Sequence, residues 1–298
     1  MTTQTADHLL LPHKSTNVRS HVKAPFWLRA SFRTASQVAP GLTAAVAERL
    51  FFKTRRTTPR PGEREVLDGA TALTIAGMSA WAWGEGPTVL LVHGWNGRAS
   101  QLGAFVAPLL DRGYRVVAFD AFGHGESPGS SMSIPELATC IREVADELGE
   151  LYGVIAHSMG GASTTLALSE GLRIERAVFV SPPADPRAFL QIFGDALGIT
   201  EAVHAKLKKR VERRVGRSIE SMRADLIAPS MQAPLLVIHD RDDKEVPVHA
   251  GQSIASAWPD ASLIVTEGLG HQRILRAESV TNVAVSFIDA TQHLEIAA

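Results

Sequence analysis

A single cysteine, Cys140, in 298 residues leaves no partner for an intrachain disulfide, which excludes the small disulfide-stapled scaffolds of the extracellular space. Its place in a helical pattern reads as a small buried apolar residue, and a reducing compartment fits best. No apolar run of about 18 residues occurs, which argues against a membrane-spanning helix. Nor does a basic segment lead into an apolar stretch near the N-terminus, so no secretory signal is indicated and a cytoplasmic protein is expected. Acid is scarce at one end. Residues 1–60 hold ten Lys/Arg against two Asp/Glu, although the whole chain balances to −1. That asymmetry suits either an arm for a membrane surface or nucleic acid, or an extension docked on an acidic body, and the docked extension is the expectation. Also missing are clustered histidines with ligand spacing, a P-loop and a dinucleotide fingerprint, so neither metal nor cofactor is expected. Near-zero net charge and the lack of a nucleic-acid-binding module weigh against a nucleic-acid partner.

What is present is enough for one large core: 45% of residues are apolar and 20% charged. Residues 1–24 are polar with scattered basic residues and no period, an arm expected to play no part in chemistry. Leu42, Val46 and Leu50 then recur every fourth residue, predicting a helix with one apolar face. Trp27, Phe32, Phe51 and Phe52, set among Arg and Lys, also suit an interfacial anchor giving peripheral membrane contact. The shortness of the stripe favours packing on the body of the protein. A Thr/Arg/Pro linker follows near Thr54–Pro61.

From Gly69 the pattern changes to short strands, predicted at Thr71–Ile75, Met78–Trp83, Thr88–Val92, Arg115–Phe119, Tyr152–Ala156, Ala177–Ser181, Leu235–His239 and Ser262–Val265. The unbroken apolar run Thr88–Val92 reads as a central strand buried on both faces. Between them lie helical stripes: Leu102 to Leu110, stopped by Gly113; Ile134 to Leu148, opened by the capping-box pattern Ser133-Ile134-Pro135-Glu136; and a last one near Val280–Ile288. Alternation of this kind predicts an α/β protein with a mostly parallel central sheet flanked by helices. Residues 182–232 show no strand signal and read as a helical insertion, apolar at Phe189–Phe193 and basic at Lys206–Arg217, the basic part expected as a solvated face. The organisation is therefore 1–60 an N-terminal arm and helix, 61–181 and 233–298 the core, and 182–232 the insertion.

Chemistry concentrates in turns after the predicted strands. Ala156-His157-Ser158-Met159-Gly160-Gly161 lies between a strand and a helix, where a serine on a tight turn with small neighbours has its hydroxyl held clear of the sheet at a helix N-terminus. Val92-His93-Gly94-Trp95-Asn96-Gly97 follows the buried strand, and Asp120-Ala121-Phe122-Gly123-His124-Gly125-Glu126-Ser127 the next. Asp240-Arg241-Asp242-Asp243-Lys244-Glu245-Val246-Pro247 and Gly268-Leu269-Gly270-His271 follow the two late strands. All lie at the carboxyl ends of strands, where open α/β sheets bind ligands.

From about Gly69 to Ile288 the chain resembles the α/β-hydrolase family. The elbow is similar to the family's G-x-S-x-G with Ala156 for the first glycine, a residue small enough to keep the turn. The resemblance implies a nucleophile–acid–histidine order of Ser158, Asp243 and His271, with Asp243 preferred to Asp242 because the family's acid precedes a Val-Pro step by two residues. It implies an oxyanion hole from the N–H groups of Trp95 and Met159. His93, Asp120, His124 and His157 read as turn-shaping or packed residues. A helical cap at 182–232 would bind the acyl group, with Phe189 and Phe193 as candidate contacts. The implied activity is hydrolysis of carboxylic esters, or related small acyl compounds, through an acyl-enzyme. Acyl transferases, thioesterases and cofactor-free haloperoxidases of the same fold would carry the same residues, and a binding protein that kept the fold without turnover is a reading of another class.

Overall fold

Residues 24–290 are described by the structure, a computed structural model; residues 1–23 of the predicted arm lie outside them. Two helices come first, α1 (Phe26–Val38) and α2 (Pro40–Phe52), parted at Ala39 because Pro40 has no N–H to continue the ladder. The burial of α2 corrects the sequence reading. Leu42, Val46 and Leu50 point to solvent, while Thr43, Ala44, Ala47 and Phe52 are buried. Small residues face inward because α2 lies against another helix, α7 below, and alanine permits the close approach of two backbones. Of the aromatic residues expected to pack, Phe32 and Phe52 are buried and Phe51 half-buried, but Trp27 is exposed.

After an irregular segment and a short 3-10 turn at Glu65–Gly69, the chain runs β1 (Thr71–Ile75), β2 (Met78–Trp83), β3 (Thr88–Val92), α3 (Val106–Leu110), β4 (Arg115–Phe119), α4 (Ile134–Leu148), β5 (Leu151–His157), α5 (Met159–Ser169) and β6 (Arg176–Val180). It continues through α6 (Pro186–Leu197), α7 (Glu201–Val215), α8 (Ala224–Ile227), β7 (Leu235–Asp240), α9 (Val248–Ala257), β8 (Ala261–Thr266), α10 (Gly270–Arg273) and α11 (Glu278–Asp289). Every predicted strand matches an observed one to within a residue at each end. The predicted cap at the start of α4 is made: Ser133 Oγ accepts from the Glu136 N–H at 3.3 Å.

The eight strands form one sheet in the order β1-β2-β4-β3-β5-β6-β7-β8, with β2 antiparallel to both β1 and β4 and the other pairs parallel. The α/β-hydrolase architecture expected from the sequence is therefore the one observed. Alternate residues feed two cores: Leu90, Val92, Val154, Ala156 and Phe179 on one face, Val89, Leu91, Ile155, Val178 and Val180 on the other. Cys140 is in the first core, where burial pushes its thiol up to about 12 and leaves it unionised at neutral pH. The strand order reverses at β3, which pairs with β4 on one side and β5 on the other. That reversal opens a crevice at the carboxyl ends of β3 and β5.

Residues 182–232 contain α6, α7, α8 and two short 3-10 turns, with no strand. Val203, Leu207 and Val211 bury one side of α7. Its basic side is engaged more than the sequence suggests. Arg210 binds Glu48 of α2 at 2.5 Å, Lys208 binds Glu220 at 2.9 Å, and the Arg214 guanidinium lies over the Phe52 ring at 4.1 Å. Among the described residues no helix is long and apolar enough to cross a membrane.

Candidate active site

β5 ends at His157 and α5 begins at Met159, so Ser158 alone makes the turn. Its backbone, at φ 53° and ψ −124°, is a conformation L-residues rarely adopt, held by its own N–H donating to Val180 O at 2.9 Å and its carbonyl accepting from Gly161 N–H at 2.9 Å. The turn after β3 presses on this elbow. A Cβ on Gly94 would stand 2.8 Å from Ser158 Cβ, and one on Gly160 would stand 2.7 Å from His93 O, so only glycine permits the approach. Trp95 follows the first of these glycines and Met159 precedes the second, so the residues expected to supply oxyanion donors border Ser158. The Met159 N–H lies in the first turn of α5, where no carbonyl of the helix itself reaches it.

The surrounding polar groups hold these turns. His93 Nδ1–H donates to Gly94 O at 2.8 Å and Nε2 accepts from Ala121 N–H at 3.0 Å, tying the β3 turn to the β4 turn. Asp120 accepts from the N–H groups of Ala99 and Glu126, both at 2.7 Å, and burial raises its pKa against those bonds. His157 Nε2–H donates to His271 O at 3.0 Å beneath the elbow. Burial and then neighbouring charge hold His157 well below the usual histidine range, and His93 and His124 are each lowered to about 4, with burial the largest cause.

Ser158, Asp243 and His271 meet. His271 Nε2 lies 3.0 Å from Ser158 Oγ, and His271 Nδ1 lies 2.7 Å from Asp243 Oδ2. With Nδ1–H donating to the carboxylate, Nε2 is free to accept from the serine hydroxyl. The second Asp243 oxygen accepts from the N–H groups of Glu245 and Val246 at 2.8 and 2.9 Å. Burial opposes ionisation of Asp243, but the nearby His239 ring, the hydrogen bond from His271 and the Val246 N–H outweigh it and hold the carboxyl well below its usual range. Asp242, the rejected neighbour, turns the other way and accepts from Gly268 N–H at 3.0 Å. Each of Ser158, Asp243 and His271 is buried, which strengthens these bonds by excluding water.

Two residues near the acid have supporting roles that the sequence did not assign. Asp240 clasps the two late loops: it accepts from Thr266 Oγ1 at 2.7 Å, from Leu269 N–H at 3.0 Å and from Asp242 N–H at 3.0 Å. Burial resists its charge, yet bonds from Gly270, Thr266, Leu269 and Asp242 lower its pKa on balance. His239 Nε2–H donates to Val246 O at 2.9 Å and stands 3.5 Å from Asp243 Oδ2, beside the carboxylate that binds His271. Both lie at the end of β7, in a run of acids that signalled a site without distributing the roles. Asn96 is a third. It adopts φ 54°, and its Oδ1 accepts from Arg55 N–H at 2.7 Å, so the segment after α2 straps the turn that carries Trp95.

The candidate acyl contacts are placed differently. Phe189 is exposed on α6, and the Phe193 ring meets Phe51 edge-on at 5.2 Å in a cluster with Phe32, Phe52 and Leu190.

A sequence model of the alpha/beta hydrolase family matches residues 89–283, more than half of the chain and the span that carries all three side chains. The chain belongs to that family. Among its relatives is a 2-hydroxy-6-oxononadienedioate/2-hydroxy-6-oxononatrienedioate hydrolase of Pseudomonas putida, 27% identical, covering 63% of this chain and 82% of that protein. A pyrethroid hydrolase of Sphingobium wenxiniae is 33% identical over a shorter stretch, 34% of this chain and 40% of that protein. Est1E of Butyrivibrio proteoclasticus, solved with ferulic acid bound, superposes with a TM-score of 0.58 at 19% identity and covers 77% of this chain and 100% of its own. At that identity the likeness is one of fold.

Proposed function

We propose that this alpha/beta hydrolase cleaves carboxylic esters of small or medium acyl size, with Ser158 as nucleophile, His271 as general base and Asp243 as the acid that orients the base. One observation carries the reading: the unbroken path from Ser158 Oγ to His271 Nε2 and from Nδ1 to Asp243 Oδ2, at 3.0 and 2.7 Å. Ser158 Oγ attacks the ester carbonyl as its proton passes to Nε2, and the Trp95 and Met159 N–H groups receive the oxyanion. His271 then protonates the leaving alkoxide, leaving an acyl-serine. A water attacks that acyl group, giving its proton to the same nitrogen, and His271 returns a proton to Ser158 as the carboxylic acid departs. Asp243 stays ionised throughout, which its lowered pKa favours. Residues 182–232 act as a cap that reads the acyl group, and the protein works in the cytoplasm on a small-molecule substrate.

A fluorophosphonate probe and a panel of soluble esters, thioesters and amides test this. The wild type should label and should turn over esters fastest. Ser158→Ala should lose labelling and turnover, by about 10⁶-fold for a nucleophile acting within such a unit, with an unchanged circular dichroism spectrum. Labelling retained in that variant would overturn the assignment, and a wild type that labels but prefers thioesters would move the substrate class without moving the nucleophile.

A further inference from the structure

Eight large hydrophobic side chains are exposed among the described residues, and six of them stand on α1 and α2: Phe26 at 87%, Trp27 at 67%, Val38, Leu42, Val46 and Leu50. On α2, residues 42, 46 and 50 form one outward stripe at helical spacing. On α1, Trp27, Ala30, Thr34 and Val38 form another. Single exposed apolar residues need no explanation, but a concentration of this kind marks a surface that meets something.

The charges beside it say what. Arg29, Arg33, Arg49 and Lys53 are all exposed on the same two helices or at the end of α2. Between residues 24 and 60 the only acidic residue is Glu48, and Arg210 of α7 already holds its carboxylate. A second copy of the chain fits poorly, because a two-fold interface sets each patch against itself and would bring these cations face to face. Residues 1–23 fit no better as a cover, since they carry Lys14, Arg19 and Lys23 against Asp7. Nucleic acid would answer the charge and leave Phe26, Trp27 and the aliphatic stripe uncovered. A bilayer surface rich in anionic lipid answers both, taking the apolar side chains into its headgroup and acyl boundary while lipid phosphates meet the arginines and lysine.

We propose that α1 and α2 form a docking element for anionic lipid bilayers. Docked there, they bring the insertion with them, because Phe51 packs on Phe193 of α6 and Glu48 binds Arg210 of α7. The docking does not depend on the hydrolytic reading, and its test reads binding.

The full chain is to be co-sedimented with vesicles of phosphatidylcholine alone and of phosphatidylcholine mixed with phosphatidylglycerol, at low and high salt. Trp27, the one exposed tryptophan of five, reports insertion through quenching by brominated lipid. The wild type should bind the phosphatidylglycerol vesicles, with Trp27 quenched, and release them at high salt. Phe26→Ser with Trp27→Ser, and separately Leu42→Ser with Leu50→Ser, should each weaken binding at least about tenfold. Arg29→Gln with Arg33→Gln should weaken it on the order of thirtyfold. All should fold as the wild type and hydrolyse a soluble ester equally fast, because these side chains are exposed and outside the proposed catalytic set. Three results would overturn the proposal: no binding to phosphatidylglycerol vesicles at low salt, binding unchanged in all three double variants, or a dimer that Leu42→Ser with Leu50→Ser converts to monomer without any vesicle binding. Vesicle binding without ester turnover would leave the docking standing and sink the esterase reading.

Discussion

At the carboxyl ends of the strands polar side chains are buried, and Asp240, Asp243 and His93 each hold two or more partners; on the N-terminal helix pair apolar side chains stand in solvent while alanines face inward. The two regions obey different constraints. In the loops, a buried carboxylate or imidazole without partners would cost the full penalty of its desolvation, so chemical identity and position are tied together. On the helices, the identity of an inward residue depends on how near the neighbouring helix comes, and α7 comes near enough that alanine suits the contact and leucine does not.

The comparison is tested hardest at the acids. Asp243→Asn should lower turnover of one ester by about 10⁴-fold, because the amide disturbs the tautomer and charge that His271 requires. Asp242→Asn, whose side chain reaches Gly268 N–H, should lose far less. The reverse pattern in steady-state kinetics would hand the role to Asp242.

Removing the clasp should cost less than removing the acid. Asp240→Ala strands the Thr266 hydroxyl and the Leu269 and Asp242 N–H groups and lets the loops of Asp243 and His271 shift apart, so kcat should fall about 100-fold with little change in KM. A fall in KM-related binding alone would place Asp240 in substrate contact instead.

Buried histidines supply a pH test of the same loops. His93 and His124 have folded pKa values near 4 against 6.5 for the free side chain, and His157 is lowered in the same direction. The unfolded chain therefore binds the extra protons first. Their contribution to stability is complete above pH 6.5 and is lost as pH falls toward 4, by about 1.4 kcal/mol per pH unit for each histidine. Asp120, raised by burial, works in the opposite sense at the acid end of that window. The urea midpoint should drop clearly between pH 7 and pH 5, and His124→Gln should flatten the slope; a midpoint independent of pH would show that these rings protonate in place.

The helix pair gives smaller effects. Ala47→Leu should destabilise by about 1–3 kcal/mol through overpacking against α7, whereas Leu42→Ser should stay within about 0.5 kcal/mol of the wild type, both by urea denaturation. Equal effects would mean that α2 does not pack as described. Smallest of all, Phe189→Ala with Phe193→Ala should shift preference among ester chain lengths by no more than about a few-fold, acting through the seating of the insertion, because Phe189 is exposed and Phe193 packs on Phe51. Uniform loss on every ester would make these residues structural.

The sequence by itself determined the sheet and the positions where chemistry gathers. Strands buried on both faces must be unbroken apolar runs, as Thr88–Val92 is, and close approaches that glycine alone permits, such as those at Gly94 and Gly160, leave their residue types in plain view. The family resemblance singled out Asp243 from its neighbours by its local spacing to Val246-Pro247, and the Val246 N–H donates to its carboxylate. Only the tertiary structure decided which face of α2 is inside, where Phe193 turns, and that Asp240, His239 and Asn96 support the loops around Ser158. Those outcomes depend on partners far away in the chain: Asp240 on Leu269, Asn96 on Arg55, Ala47 on the approach of α7. A periodicity of four records that a helix has an apolar face; it does not record whether protein, water or lipid lies opposite it.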